Sequence, residues 1–280
     1  MIIYKSASAI KSYLQKKKDS GKTIGFVPTM GALHDGHISL VENSKKKNEL
    51  TIVSIFVNPT QFNNPADFEK YPITLDQDIN KLEENGCDVL FIPSQNEIYP
   101  GTTSTISYEL GSLEKVLEGA FRPGHFQGVS QVVHRLLDIV IPHDLYLGQK
   151  DYQQCLVIKK LVEIIGINLT VHIHPTKREK NGLAMSSRNK RLSNDQLSQA
   201  AKIYESMMLI RNEMIPGDIS ELKNKAIRKL IENNFKVDYV EIVETGTLEI
   251  QEKWDGRKSL TVVAAAFLHD VRLIDNLILN

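Results

Sequence analysis

Two histidines three positions apart occupy the segment best equipped for chemistry, Pro28-Thr29-Met30-Gly31-Ala32-Leu33-His34-Asp35-Gly36-His37. The segment follows a predicted strand and opens a predicted helix, and the free N–H groups at a helix N-terminus favour an anion. Gly36 allows a bulky group to approach the backbone, so His34 and His37 could face one phosphate. Imidazolium groups would stabilise the charge that develops there during phosphoryl transfer. Metal binding stays open, although the pair lacks the glutamate and the spacing of a zinc-protease helix.

A second polar segment, Gly182 to Asn189, lies just beyond a predicted domain boundary. Its Ser186, Ser187 and Arg188 offer two hydroxyls and a guanidinium in consecutive positions, a compact set of phosphate donors. A loop near a domain boundary could close over a bound nucleotide. Taken alone, these three residues are more typical of a polar turn. Ser193 is better explained as the cap of the next helix.

Two further groups of polar residues follow predicted strands. Gly148 permits close approach, Lys150 supplies a cation, and Asp151 could accept from a sugar hydroxyl or cap a helix. Gln61 carries both a donor and an acceptor, as recognition of a hydroxy acid requires. Open α/β sheets bind ligands at the carboxyl ends of their strands. Three strand-to-helix loops should therefore present polar groups at one end of one sheet.

Alternating apolar patterns predict the scaffold that positions these loops. The run Leu50 to Val57 is rich in β-branched residues and apolar on both faces, which fits a parallel strand covered by helices on both sides. Repeated strand–helix–strand units predict an α/β fold, a Rossmann-like doubly wound parallel sheet over residues 1–175. The predicted helices are 6–18, a helix beginning near His37, 74–85, 129–140 and 151–165, and the predicted strands are 23–28, 50–57, 89–93, 145–148 and 169–174.

The remaining residues, 176–280, have a different order of elements. Helical patterns at 194–213 and 218–234 come first, and strands near 237–243, 260–268 and 271–274 follow. Helices followed by strands predict a smaller α+β domain. The hinge should lie near Pro175.

Composition excludes several classes of protein. The chain has 280 residues, 41% hydrophobic and 24% charged, which is typical of a globular protein. Lys+Arg and Asp+Glu number 34 each, so charge gives no reason to expect nucleic-acid or membrane binding. Cys87 and Cys155 form no C-x-x-C pair, which argues against a disulfide framework or a zinc site. No stretch of about 18 apolar residues occurs, and the expected location is cytoplasmic.

The polar segments together resemble the pantothenate synthetase (pantoate–β-alanine ligase) family of the nucleotidyltransferase superfamily. The resemblance covers nearly the whole chain, in the expected order and spacing. The His34/His37 segment alone would indicate only the superfamily, which includes class I aminoacyl-tRNA synthetases. Ser186 to Arg188 looks like the counterpart of their mobile signature loop. The matching stretches are PTMGALHDGH at 28–37, FVNPTQF at 56–62, RPGHFQGV at 122–129, GQKDYQQ at 148–154, GLAMSSRN at 182–189 and RLIDN at 272–276.

The resemblance implies an ATP-dependent ligation in two steps. The carboxylate of (R)-pantoate attacks the α-phosphate of ATP and gives pantoyl adenylate and pyrophosphate. The amine of β-alanine then attacks the acyl group and releases AMP and pantothenate, the coenzyme A precursor. Holding the reactants in line supplies much of the acceleration, and Mg²⁺ between phosphate oxygens offsets accumulating charge. The resemblance also implies a homodimer, with residues 176–280 acting as a lid.

Position within the matching stretches assigns roles to individual residues. His37 corresponds to a proton donor, His34 to a second phosphate-contacting histidine, and Lys150 to a catalytic contact with phosphate or the pantoate carboxylate. Gln61 and Gln154 look like the pantoate-binding glutamines, and Gln61 also borders the β-alanine site. The residues that the resemblance assigns to ATP are Met30, Gly31, Ala32, Leu33, His34, Asp35, Gly36, His37, Gly148, Gln149, Lys150, Asp151, Lys177, Met185, Ser186, Ser187 and Arg188.

A few residues depart from the family pattern or fit it weakly. Lys177 stands where an apolar residue near the adenine is usual, and Gln149 replaces the more frequent glutamate. Asp78 lies in the region of a suspected Mg²⁺ contact, but an exposed helix carboxylate is the favoured interpretation. His125 and Tyr71 are further candidates for lining the pocket. No protein residue is assigned as a metal ligand.

Two other functions stay open at this point. Another nucleotidyltransferase, one that transfers AMP to a phosphorylated acceptor, would need extra basic residues, and the uncharged Gln61 and Gln154 argue against it. An RNA-binding or regulatory module that has lost turnover is disfavoured by the intact set of His34, His37, Lys150 and Arg188 and by the balanced charge.

Overall fold

A six-stranded parallel sheet organises the first part of the chain. The computed structural model describes residues 1–101 and 106–280. The strands pair in the order β1-β4-β3-β2-β5-β6. Every neighbouring pair is parallel. The strands are β1 (Ile2–Tyr4), β2 (Ile24–Thr29), β3 (Leu50–Ile55), β4 (Val89–Phe91), β5 (Asp144–Gly148) and β6 (Thr170–His174).

Helices cover both faces of this sheet, because successive residues of a strand point to opposite faces. On one face Phe26 and Ile52 pack with apolar residues of the helices at 7–19, 125–140 and 152–165. On the other face Val27 and Val53 pack with the helices at 35–47 and 75–84. The helices are α1 (Ala7–Asp19), α2 (Asp35–Lys47), α3 (Pro65–Glu69), α4 (Leu75–Glu84), α5 (Gln95–Ile98), α6 (Glu118–Phe121), α7 (His125–Val140) and α8 (Tyr152–Ile165).

Strand β2 separates from β5 before either strand ends. The β2–β3 ladder runs the full length of β2, from Ile24 to Thr29. The β2–β5 register includes only Gly25 with Asp144 and Phe26 with Leu145. Pro28 has no N–H to donate, so it suits the part of the strand where pairing on one side has stopped. The carboxyl ends of β2 and β5 are therefore the switch point of the sheet, the place at which doubly wound sheets bind ligands.

The second compact unit consists of residues Gln149–Gln153 and Thr176–Asn280, and the first of Met1–Gly148 and Gln154–Pro175. Its main sheet is antiparallel, in the order β11-β10-β8, and a small sheet pairs β7 with β9. The expected α/β fold with a smaller α+β part is confirmed. The elements are α9 (Asn194–Ala200), α10 (Lys202–Glu213), β7 (Gly217–Asp218), α11 (Ser220–Glu232), β8 (Phe235–Glu244), β9 (Lys253–Trp254), β10 (Leu260–Leu268) and β11 (Val271–Ile278).

The boundary of this second unit differs from the sequence expectation in one segment. Residues 149–153 were expected within the first domain, and they group with residues 176–280 instead. Side-chain hydrogen bonds explain the difference. The Asn276 amide donates to the carbonyl oxygens of Gln149 (2.8 Å) and Lys150 (2.9 Å). The hydroxyl of Tyr152 accepts from the backbone N–H of Gly246 (2.9 Å). Across the described ranges, no helix is both long and apolar enough to cross a bilayer.

A charged network ties α2 to the amino ends of β5 and β6. The carboxylate of Asp144 accepts hydrogen bonds from Lys47 Nζ (2.8 Å) and His172 Nε2 (2.6 Å). Burial opposes ionisation of Asp144, but the hydrogen bonds from Lys47 and His172 outweigh it and hold the pKa of Asp144 below its ordinary value. Within residues 1–101 and 106–280, no three His, Cys, Asp or Glu side chains cluster to hold a metal ion. His172 contributes to this network through its hydrogen bond to Asp144.

We expect Asp144→Asn to lower the free energy of unfolding by about 2 kcal/mol near neutral pH, because the oxygen that accepts from Lys47 and His172 loses its negative charge and both hydrogen bonds weaken. The folded pKa lies below the unfolded value, so this contribution is complete above the unfolded value and disappears as pH falls through the folded pKa. Urea unfolding at neutral and at strongly acidic pH measures it, and the wild-type advantage should shrink in acid. Asp138→Asn, an exposed control, should change stability by less than about 0.5 kcal/mol. An Asp144→Asn loss that is equal at both pH values would contradict this account.

Candidate active site

Asp78 holds the loop that joins β2 to α2. Its two carboxylate oxygens accept from the backbone N–H groups of Ala32 and Leu33, each at 2.8 Å. The loop needs this support because Gly31 (φ 81°) and Ala32 (φ 49°) are both left-handed. The interpretation of Asp78 as an exposed helix carboxylate is wrong. It is 2% exposed, because the first turn of α4 packs beneath the loop.

The two histidines of the motif lie at the N-terminus of α2. The helix begins at Asp35, two residues earlier than the sequence predicts, and His34 is its cap. His34 Nδ1 accepts from Gly36 N (3.2 Å), and His37 Nδ1 accepts from His34 N (3.3 Å). The ring centroids are 4.0 Å apart. Because each Nδ1 is an acceptor, the proton of each neutral ring is on Nε2. The two rings thus provide adjacent N–H donors at the positive end of a helix.

Gln61 reaches the same loop from the carboxyl end of β3. It ends a short 3₁₀ helix, Pro59–Gln61, and it is buried. Its Nε2 donates to Met30 Sδ (2.9 Å), and its Oε1 accepts from Asn58 Nδ2 (3.3 Å). Sulfur is a weak acceptor, so a substrate oxygen could replace Met30 as the partner of Gln61 with little loss. The structure therefore brings the loops after β2 and β3 together.

Helix α7 is hydrogen-bonded to the turn that contains Gln61. His125 Nδ1 donates to the Gln61 carbonyl oxygen (2.8 Å), and the buried Asn58 donates to the Gly128 carbonyl oxygen (3.2 Å). A Cβ at Gly128 would lie 2.4 Å from the Thr60 carbonyl oxygen, so only glycine permits this approach. Sequence reasoning proposed His125 as a pocket-lining residue and missed Asn58. The position of Asn58 within the FVNPTQF stretch was the sequence signal that could have identified it.

Gly148 and Gln154 flank the turn after β5, the strand beside β2. Gly148 is the last residue of β5, and a Cβ placed there would meet no described atom within 4 Å. Packing among the described residues does not require glycine at this position, and the close approach of a ligand to Gly148 stays a prediction. Gln154 lies half-buried in the first turn of α8. Both residues lie at the same carboxyl-end edge of the sheet as Met30 to His37.

The second unit carries the other predicted ATP contacts. Residues Gln149–Asp151 form a 3₁₀ helix, in which Lys150 Nζ lies 3.7 Å from the Asp151 carboxylate. The Lys177 carbonyl oxygen accepts from Met185 N (3.0 Å), so the backbone of Lys177 pairs with the start of the serine-rich turn. The unusual lysine is compatible with such a backbone role.

Ser186 and Ser193 are both helix caps. Ser186 Oγ accepts from Arg188 N (3.3 Å) at the start of the 3₁₀ helix Ser187–Arg191. Ser193 Oγ accepts from Gln196 N (3.3 Å) at the start of α9, which confirms the sequence prediction for Ser193. Ser187 is buried. The segment thus forms a hydrogen-bonded turn that carries two hydroxyls and a guanidinium, groups that can donate hydrogen bonds to phosphate. Its contact with ATP stays a prediction.

The fold is a Rossmann-like doubly wound α/β sheet with two histidines at the N-terminus of α2, the arrangement of a nucleotide-binding class of protein. The profile of the family described as pantoate-beta-alanine ligase matches residues 2–278. A pantothenate synthetase from Cytophaga hutchinsonii is 43% identical over 282 residues, covering 100% of this chain and 99% of that protein. The chain therefore belongs to the pantoate–β-alanine ligase family and is an enzyme, as the resemblance predicted.

Two solved structures agree with this assignment. The crystal structure of pantothenate synthetase from Thermus thermophilus has a TM-score of 0.90 and 37% identity, covering 99% of both chains. The pantoate-beta-alanine ligase from Francisella tularensis, complexed with beta-gamma ATP and beta-alanine, has a TM-score of 0.83 and 41% identity, covering 99% of this chain and 97% of that chain. Family membership favours the ligase over the alternative nucleotidyltransferase and over an RNA-binding module.

Proposed function

We propose that this enzyme joins (R)-pantoate and β-alanine to form pantothenate, using ATP and passing through pantoyl adenylate. The observation that carries the proposal is the pair of imidazole rings of His34 and His37 at the N-terminus of α2, each with Nδ1 accepting from the backbone, at the carboxyl-end edge of the parallel sheet. Donors at the positive end of a helix favour a polyphosphate. The Francisella tularensis relative, solved with beta-gamma ATP and beta-alanine, supports the same two substrates here.

In the first step, a carboxylate oxygen of pantoate attacks the α-phosphorus of ATP. The bond from that phosphorus to the oxygen bridging to the β-phosphate breaks, and pyrophosphate leaves with the electron pair. His34, His37 and Lys150 stabilise the charge on the phosphate oxygens. Ser186, Ser187 and Arg188 are the other hydrogen-bond donors that the family pattern assigns to ATP. Mg²⁺ bound to ATP would offset the negative charge of the phosphates.

In the second step, the amine of β-alanine attacks the acyl carbon of the adenylate. The bond from this carbon to the AMP oxygen breaks, AMP leaves, and the nitrogen loses a proton as the amide forms. Gln61 and Gln154 hold the pantoyl group, and Gln61 exchanges its weak Met30 contact for a substrate oxygen. The homodimer, the lid role of residues 176–280 and the cytoplasmic location stay predictions.

We expect pantoate-dependent exchange of labelled pyrophosphate into ATP without β-alanine, because the first step is complete and reversible by itself. With pantoate labelled by ¹⁸O in its carboxylate, the full reaction should deliver one labelled oxygen to AMP, since the second step breaks the carbon–oxygen bond. Label in inorganic phosphate, or pantothenate formation without any exchange, would contradict the adenylate. Omission of pantoate is the matched control and should abolish exchange.

A further inference from the structure

One matching stretch, RLIDN at 272–276, has no role in the proposed reaction. Its Asn276 lies in β11, is 2% exposed, and its side chain reaches the turn that carries Lys150. Nδ2 donates to the carbonyl oxygens of Gln149 (2.8 Å) and Lys150 (2.9 Å). Oδ1 accepts from Gln149 Nε2 (3.1 Å). One buried amide thus fixes two consecutive carbonyl groups of the 3₁₀ turn.

The backbone of Asn276 is bonded to two neighbouring charged residues. Its carbonyl oxygen accepts from Arg178 Nη2 (3.0 Å), and its N–H donates to Asp275 Oδ1 (2.7 Å). Arg178 and the buried Asp275 form a bidentate pair at 2.6 and 3.0 Å. Buried charges are stable only when paired and fully hydrogen-bonded, and this pair meets both conditions. Arg178, Asp275 and Asn276 are called the positioning cluster below.

Arg178 extends the positioning cluster to the segment that contains the serines. Its Nη1 donates to the Gly182 carbonyl oxygen (3.0 Å), and its guanidinium lies over the Tyr204 ring at 4.3 Å. Gly182 (φ 90°) packs so closely that a Cβ there would lie 2.2 Å from Tyr204. An antiparallel bridge between Arg178 and Ala184 leads directly to Met185. The same guanidinium therefore holds the start of GLAMSSRN.

We propose that the positioning cluster sets the Lys150 turn and the Gly182–Arg188 segment in the arrangement that binds the triphosphate of ATP, with Asn276 as its central positioning residue. The inference rests on the proposed function, which assigns both segments to ATP. Asn276 contacts Lys150 only through its carbonyl oxygen. It therefore fixes the base of the side chain and leaves the ammonium group to bind phosphate.

The test uses Asn276→Asp, which keeps the shape of the side chain but replaces the NH₂ donor by a carboxylate oxygen facing two carbonyl oxygens. Binding of MgATP to the full chain, measured by calorimetry without pantoate, should weaken about tenfold or more, because the ammonium of Lys150 is displaced. Asn280→Asp is the matched control. The Asn280 amide also donates to a carbonyl oxygen, that of Lys258 (3.0 Å). The affinity of the Asn280→Asp variant for MgATP should equal that of wild type.

A double-mutant cycle with Lys150→Met separates positioning from a general structural effect. If Asn276 acts through Lys150, Asn276→Asp should weaken MgATP binding far less in the Lys150→Met background than in wild type. Equal losses in both backgrounds, or unchanged affinity of Asn276→Asp in wild type, would overturn the inference. If Asn276→Asp does not fold, Asn276→Ala takes its place in the same double-mutant cycle, with the same expected results. If neither variant folds, the role of Asn276 is structural and the inference is overturned.

The same cycle distinguishes failure of this inference from failure of the proposed function. Wild-type protein that binds no MgATP, or Lys150→Met that binds it as well as wild type, would remove the proposed phosphate role of Lys150 and the inference with it. Weak binding by Lys150→Met together with normal binding by Asn276→Asp would leave the proposed function intact and refute only the positioning cluster.

Discussion

Replacing His37 by alanine should lower the rate of pantoate-dependent pyrophosphate exchange by a factor of about 10²–10⁴. The side chain supplies an Nε2–H donor beside that of His34 at the N-terminus of α2, where charge develops on the phosphates. The hydrogen bond that its Nδ1 accepts from His34 N is long, 3.3 Å, so losing it should cost little stability. Thermal unfolding should therefore shift by only a few degrees, roughly the effect of 1 kcal/mol or less.

His134→Ala is the control with the opposite expectation. His134 lies on α7, and its Nδ1 forms a 2.6 Å hydrogen bond with Tyr108 Oη. Loss of this hydrogen bond should lower stability by about 1 kcal/mol and leave the rate of exchange near that of wild type. Parallel losses of exchange and stability in His37→Ala would favour a structural role for His37. The variant His37→Gln refines the result, because an amide can donate a hydrogen bond but cannot transfer a proton. Recovery of exchange in His37→Gln would assign His37 to charge stabilisation, and no recovery would assign it to proton donation.

The sequence predicts most of the scaffold because apolar runs carry a clear period. Strands β2 to β6 lie within one or two residues of their predicted positions, since each is an apolar run between turns. Strand β1 was missed because Ile2–Tyr4 is too short to show a pattern, although it pairs with β4 at the edge of the sheet. The predicted helix at 194–213 is two helices that meet at Ala201 without glycine or proline to announce the break.

The topology of the sheet predicts where the loops of the candidate site lie. Contacts between residues far apart in the sequence determine how those loops are held. The loops after β2, β3 and β5 share an edge because parallel strands in the observed order must place them there. The contact between Asp78 and Leu33 joins residues 45 apart, and that between Asn276 and Lys150 joins residues 126 apart. A polar side chain in such a contact leaves no periodic signal in the sequence. Asp78 accordingly looked like an ordinary first-turn carboxylate.

Replacing Asp78 by alanine should lower the free energy of unfolding by about 2–4 kcal/mol, because the buried N–H groups of Ala32 and Leu33 both lose their acceptor. The left-handed backbone at Ala32 is strained, so the loop should relax once those hydrogen bonds are gone. The relaxed loop would displace His34, and pyrophosphate exchange should fall about tenfold or more. Asp76→Asn, an exposed change on the same helix turn, should alter stability by less than about 0.5 kcal/mol.

Asp78→Asn separates an anchor for the loop from a ligand for Mg²⁺. The amide has one acceptor oxygen where the carboxylate has two, so either Ala32 N or Leu33 N must face an NH₂ group. This loss belongs to the protein alone, and raising the Mg²⁺ concentration in the exchange assay should not restore the rate. Recovery at high Mg²⁺, with stability equal to that of Asp76→Asn, would instead make Asp78 a metal ligand. Chemical unfolding of the protein without ATP or Mg²⁺ gives an independent measurement of stability. Loss of an anchor destabilises the loop whether or not substrate is present.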